Sequence, residues 1–159
     1  MFSSSRWLCA VGVGAALLVG VASEVSAQGR GGGTPLTPYT YRQQLMQQNQ
    51  QSTAAMTAIR GGLVGNPSNL LGRAIILQQI AQALPDAFPA GDIEAGSRAL
   101  PAIWENPGGF TARVQAFQSA ADALVEAARG GNMAAIEEAQ GVLQPTCGAC
   151  HMEFRAPAQ

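Results

Sequence analysis

The sequence predicts an all-α protein, folded as an antiparallel bundle of four helices in up-down-up-down order. Four segments between residues 38 and 155 carry apolar residues at helical spacing, and residues that favour turns separate them. In three of these segments the apolar residues recur at intervals of four and three, which places them on one face. No segment shows the alternation that is typical of a strand. Helices of roughly 18 to 24 residues would make a bundle about 27–36 Å long.

The first two helices have clear boundaries in the sequence. The first runs from about Pro38 to Arg60 and ends at Gly61-Gly62, and its many Gln residues favour helix although its apolar face is thin. The second opens at Asn66-Pro67, an N-cap followed by Pro at the first helical position, and ends near Leu84-Pro85. The seam predicted for it consists of Leu70, Ala74, Leu77, Ala81 and Leu84.

A long connection rich in Gly and Pro runs from Pro85 to Pro107. The third helix begins at Asn106-Pro107 and closes at Gly130-Gly131. Its predicted seam consists of Phe110, Val114, Phe117, Ala121, Leu124 and Ala128. The side chains expected to anchor the connection to the bundle are Phe88, Ile103 and Trp104.

The fourth helix is predicted to begin after Asn132, its N-cap. Pro145 lies inside it and removes a backbone hydrogen bond, at a cost of about 3 kcal/mol. Because the residue four positions earlier is Gly141, the backbone can bend there, and we predict a kink between Leu143 and Cys147 and no break. The seam of this helix consists of Ile136, Gln140, Leu143, Cys147, Cys150 and Phe154, so both cysteines face inward.

Cys147, Cys150 and His151 form a C-x-x-C-H sequence, the attachment signature of a c-type haem. Each thiol can add across one haem vinyl group, and the neighbouring imidazole can reach the iron as an axial ligand. Positions i, i+3 and i+4 of a helix share a face, so one helical turn can hold both ring and ligand. The sequence therefore predicts one covalent haem c inside the bundle, near the C-terminal helix.

Other interpretations of the motif fit less well. A redox dithiol is expected in a βαβ context, which is absent from the pattern of this sequence. A structural zinc site needs four ligands, whereas the predicted mature chain offers Cys147, Cys150 and His151. A disulfide within one helix would be strained and would leave the histidine without a role.

Residues 1–27 are predicted to be a secretory signal peptide. Arg6 precedes an apolar run from Trp7 to Ala22, and Val25-Ser26-Ala27 supplies the small residues of a cleavage site after Ala27. Residues 28–37 would form a flexible leader, and residues 38–159 the bundle domain. Export to the periplasm agrees with covalent haem attachment, which takes place outside the bacterial cytoplasm. A retained membrane helix is the competing interpretation, but the run is short and no stable anchor is expected.

The charge pattern excludes several partner classes. The formal net charge of the whole chain is −1 at pH 7. There is no lysine and no cluster of basic residues, so neither nucleic acid nor an anionic membrane surface is an expected partner. No second histidine, acid pair or nucleophile accompanies His151, and an enzyme is not expected.

The chain resembles cytochrome c′ and its class II relatives over nearly all of residues 39–155. The terminal C-x-x-C-H motif, followed by Phe154-Arg155, carries most of this resemblance. Three short motifs in the family's order complete it: Tyr41-Arg42-Gln43, Phe88-Pro89-Ala90-Gly91 and Pro101-Ala102-Ile103-Trp104.

The resemblance implies specific roles. It implies thioether bonds at Cys147 and Cys150 and ligation of the iron by His151. It also implies that Arg42 and Gln43 lie beside the haem and its propionates, which an arginine can pair with charge-assisted bonds. Two further arginines are candidates for the haem site: Arg155 near the proximal face and Arg98 beside a propionate.

Met46 stands where the family places its distal residue. An apolar side chain there covers the iron without binding it, which leaves a five-coordinate, high-spin haem that admits small gases such as NO and CO. In low-spin relatives a Met on the first helix binds the iron instead. We favour the five-coordinate state, with single-electron transfer, gas binding or both as the function. The alternative is a six-coordinate His/Met carrier that only exchanges electrons with periplasmic partner proteins.

The resemblance also implies dimers that form through the first two helices. Gln44, Gln47, Gln48 and Gln51 make the exposed face there polar, and a strong homodimer needs an apolar interface core. We therefore predict a weak homodimer or a monomer–dimer equilibrium.

Overall fold

The computed structural model describes residues 36–157, and helices account for nearly all of the regular structure in this part. The predicted signal peptide and most of the leader lie outside it. The helices are α1 (Pro38–Arg60), α2 (Asn69–Ala83), the short α3 (Ala102–Glu105), α4 (Pro107–Gly130) and α5 (Met133–Phe154). The predicted all-α bundle of four long helices is confirmed. None of the helices described is both long and apolar enough to cross a membrane.

Most helix ends lie where the sequence predicts them. Asn106 accepts a hydrogen bond from the N–H of Gly109 at the start of α4. Gly131 ends this helix with φ 66°, a left-handed conformation that suits a residue without a side chain. Asn132 then accepts hydrogen bonds from the first turn of α5. The boundaries of these two helices therefore follow from local sequence.

The start of α2 differs from the prediction. The side chain of Asn66 accepts from the N–H of Ser68 at 2.9 Å, and its carbonyl accepts from the N–H of Asn69 at 2.9 Å. These bonds close a turn around Pro67, and the helix begins only at Asn69. Asn66 caps the turn and not the helix, so the prediction of Asn66-Pro67 as N-cap and first helical residue was wrong.

The predicted seams form the core. Every seam residue predicted in α2 and α4 is buried, as are four of the six in α5, while the two cysteines are half-buried. In the connection Ile103 is buried, the ring of Phe88 meets that of Phe110 edge-on at 4.9 Å, and the indole N–H of Trp104 donates to the carbonyl of Pro89. The anchors predicted for the connection therefore hold it against the bundle.

The helix α5 continues through Pro145, as predicted. Pro145 cannot donate to the carbonyl of Gly141, which lies in the preceding turn where the helix is exposed to water. The hydroxyl of Thr146 donates to the carbonyl of Leu143 at 2.7 Å. Because Gly141 is exposed, water can bond the carbonyl that loses its partner at the proline.

A buried glutamine joins α1 to α5. Gln140 is 1% exposed, its amide oxygen accepts from Arg60 at 2.8 Å, and its amide nitrogen donates to the hydroxyl of Thr57 at 3.0 Å. The same nitrogen lies 3.4 Å from the carbonyl of Thr53. These bonds satisfy a polar side chain inside an otherwise apolar seam.

We predict that Gln140→Ala lowers the free energy of unfolding by about 1–3 kcal/mol, because it removes the hydrogen bonds of a buried side chain and leaves a cavity in its place. Urea unfolding followed by circular dichroism measures this. Gln144→Ala, an exposed position one turn later on α5, is the matched control and should change stability by less than about 0.5 kcal/mol. Equal effects of the two variants would show that the hydrogen bonds of Gln140 contribute nothing to the free energy of unfolding.

Candidate haem-binding cavity

A cavity of about 310 Å³ lies between α1, α4, α5 and the connection. Residues of α1 and α5 line it together with aromatic and aliphatic side chains of α4 and the connection. All eight residues predicted for the site line this cavity: Arg42, Gln43, Met46, Arg98, Cys147, Cys150, His151 and Arg155.

The cysteines and the histidine occupy neighbouring positions on α5. Cys147, Cys150 and His151 are half-buried, and both cysteines are free thiols. Their spacing of three and four residues on an unbroken helix brings them to the same wall of the cavity. Both thiols and the imidazole are therefore available to one group within the cavity.

Burial controls the protonation of these side chains. It raises the pKa of both thiols, and the neighbouring Cys147 raises the pKa of Cys150 further. It lowers the pKa of His151, which the positive charges of Arg155 and Arg98 lower again. The imidazole is thus kept in its neutral form, the form that can ligate a metal ion.

Two arginines are held side by side at the cavity. The N–H of Ala156 donates to the carbonyl of Arg98 at 2.8 Å, and Ala99 and Arg155 form an antiparallel bridge. Both guanidinium-bearing residues are exposed, and within residues 36–157 neither forms an ion pair. Partial desolvation at the cavity and the charge of Arg98 lower the pKa of Arg155. Two adjacent cations without carboxylates of their own can receive the carboxylates of a ligand.

Arg42 also lines the cavity, but the connection engages its guanidinium. The residue is 5% exposed, and its Nη1 donates to the carbonyl of Ala87 and to the carboxylate of Asp92. Its Nη2 donates to the hydroxyl of Ser97 at 3.3 Å. Sequence reasoning did not find Asp92 or Ser97, since neither helical spacing nor a motif points from α1 to the connection.

Met46 continues the α1 wall one turn after Arg42 and is half-buried. Asn49 follows on the same face of the helix, and its spacing of seven residues from Arg42 could have identified it. Arg113 also lines the cavity and forms an ion pair with Glu153 at 3.0 Å. The apolar part of the wall consists of Leu84, Phe88, Ile103, Phe110, Val114, Phe117 and Phe154.

These residues fit a haem. An apolar wall suits the macrocycle, and exposed arginines suit its two propionates. The thiols and the neutral imidazole on one wall suit attachment of the vinyl groups and ligation of the iron. Among the residues described, no cluster of three or more His, Cys, Asp and Glu side chains is arranged to hold a bare metal ion.

Comparison with known proteins identifies the family. The family model for cytochrome c′ matches residues 37–155. Cytochrome c-556 of Agrobacterium tumefaciens (strain II Chrys) is 34% identical over 115 residues, which cover 72% of this chain and 93% of the relative. Cytochrome c′ of Pararhodospirillum photometricum is 31% identical over 116 residues, with coverage of 72% and 93%.

Solved structures agree with this assignment. Cytochrome c′ of Rubrivivax gelatinosus superposes with a TM-score of 0.69 at 25% identity, covering 75% of this chain and 94% of the other. A nitric oxide complex of a cytochrome c prime variant from Alcaligenes xylosoxidans also gives 0.69 at 25% identity, with coverage of 76% and 94%. The chain therefore belongs to the cytochrome c′ family and is a haem c electron-transfer protein.

Proposed function

We propose that this protein carries one haem c, attached by thioether bonds at Cys147 and Cys150, and transfers single electrons in the periplasm. In this proposal His151 is the only protein ligand of the iron, and the remaining side is open to NO or CO. The observation that carries the proposal is the cavity itself, which the C-x-x-C-H turn of α5 lines together with Met46 of α1. When bound, the haem supplies a reversible one-electron change at its iron.

The chain supports this chemistry through the imidazole and the cavity wall. The lowered pKa of His151 keeps a nitrogen lone pair available as a ligand. The aromatic side chains of Phe88, Phe110 and Phe117 line the cavity and lower the polarity of its wall. Such surroundings are one of the means by which a protein sets the potential of its haem.

An apolar wall also selects among ligands of the iron. Moving an ion into such a site costs much more free energy than moving an uncharged diatomic molecule. Met46 occupies part of the space on the α1 side, because its side chain lines the cavity. The nitric oxide complex of the structural relative supports gas binding as part of the proposal.

The alternative function rests on the same methionine. Met46 lines the cavity that His151 lines, and its thioether sulfur is a known axial ligand of c-type haems. If Met46 binds the iron, the haem is six-coordinate and low-spin. The protein is then an electron carrier without a free site for gases.

The first prediction of the proposed function concerns attachment and export. We expect the intact mass of the protein secreted by a host with haem-maturation machinery to equal residues 28–159 plus one haem. Acid–acetone extraction should leave the colour with the protein, because thioether bonds survive it. The variant with both Cys147→Ala and Cys150→Ala should lose the haem to the solvent phase. Extractable haem in the wild-type protein would contradict covalent attachment.

The second prediction concerns Met46. If it only covers the iron, the reduced protein has a broad high-spin spectrum and binds CO, and Met46→Ala speeds CO entry because the barrier is steric. Met46→Ala should lower the free energy of unfolding by about 2–5 kcal/mol, towards the lower value because the side chain is half-buried. Optical spectra with and without CO measure the coordination state. Sharp low-spin bands in the wild type, lost in Met46→Ala, would establish the alternative function.

The third prediction concerns assembly. Gln44, Gln47, Gln48 and Gln51 are all exposed on α1, so the face predicted for dimers is polar. We expect a weak dimer or a monomer–dimer equilibrium in sedimentation velocity experiments at micromolar concentrations. A dimer that persists at nanomolar concentration would show that this face binds more strongly than its composition indicates.

A further inference from the structure

The charge of Arg42 is buried, and one carboxylate balances it. A buried guanidinium is costly unless it is paired and hydrogen-bonded. Asp92 is the ion-pair partner of Arg42 within residues 36–157, and its own side chain is 19% exposed. The carbonyl of Ala87 and the hydroxyl of Ser97 accept further hydrogen bonds from the guanidinium. The fold therefore supplies the groups that balance and hydrogen-bond this buried charge.

The same contacts fasten the connection to α1. Ala87, Asp92 and Ser97 are separate points of the connection, and one side chain holds all three. The guanidinium carbon also lies 5.1 Å from the centre of the Phe88 ring, which contacts the Phe110 ring. Both rings line the haem-binding cavity. The ion pair therefore positions part of the cavity wall as well as the connection.

We propose that Asp92 is a positioning residue for the haem. It neutralises Arg42, holds residues 87–97 against α1 and sets the net charge at this edge of the cavity. This inference rests on the proposed attachment of haem in the same cavity. A positive charge near a haem favours the reduced iron and raises its potential, so loss of the Asp92 carboxylate has an electrical as well as a structural consequence.

Three variants test the proposal: Asp92→Asn, Arg42→Gln and the double variant. Asp92→Asn should raise the midpoint potential because the Arg42 charge stands alone, and Arg42→Gln should lower it because the Asp92 charge stands alone. The double variant should return close to the wild-type potential. A loss of packing alone would shift both single variants in the same direction. Asp92→Glu, which keeps the charge, should restore the wild-type potential at least in part.

Amide hydrogen exchange provides a readout that does not depend on the haem. The amides of Phe88, Asp92 and Ser97 form hydrogen bonds within the connection. In both single variants the exchange rates of these amides should rise by about tenfold or more. Glu94→Gln is the matched control. It removes a carboxylate of the same connection that has no ion pair among the residues described, and it should leave these exchange rates unchanged.

The outcomes separate this inference from the proposed function. Acid–acetone extraction of each variant shows whether the haem is attached. Haem that can be extracted from the protein would count against the proposed function and not against the role of the ion pair. Unchanged exchange in Asp92→Asn overturns the inference. Midpoint potentials that stay at the wild-type value, or that move in the same direction in both single variants, overturn it as well.

Discussion

The structure depends on one constraint, which is that a single turn of α5 must present two thiols and an imidazole to the same cavity. Helical geometry brings Cys147, Cys150 and His151 to one wall, and their half-buried state follows from the position of that wall inside the bundle. A helix that points such groups inward needs space opposite them. Residues of α1 line the same cavity, and α4 contributes apolar side chains to it.

The contacts between α1 and α5 explain how this space is kept. About two helical turns before Cys147, Gln140 joins the two helices through Arg60 and Thr57. Towards the other end of α1 the facing residues Arg42 and Met46 line the cavity. A polar contact near the C-terminal end of α1 and the cavity near its N-terminal end both involve residues of α1 and α5. The way in which α1 and α5 pack therefore also determines the space that the cavity offers.

The ionisable side chains that line the cavity differ in charge and in burial. Burial holds the histidine neutral and the thiols protonated, while Arg98 and Arg155 lie exposed and without ion pairs among residues 36–157. Arg42 differs from these two because its charge is buried and balanced by Asp92. The arginine that secures the connection thus differs from the two exposed arginines in that the protein supplies a carboxylate for it.

The sequence alone determined the helical architecture and predicted which residues attach the haem. Periodicity predicts the seams of α2 and α4 because burial follows the helical repeat. The spacing of the C-x-x-C-H motif predicts that its two thiols and imidazole share one face, because the motif lies within one helix. The start of α2 was missed because an Asn-Pro pair can close a turn as well as cap a helix. Only the tertiary structure decided the partners of Arg42, since the connection that carries Asp92 and Ser97 has no repeat from which its path across α1 could be predicted. Contacts within a helix follow from local spacing, whereas contacts between a helix and an irregular segment depend on the packing of the whole bundle.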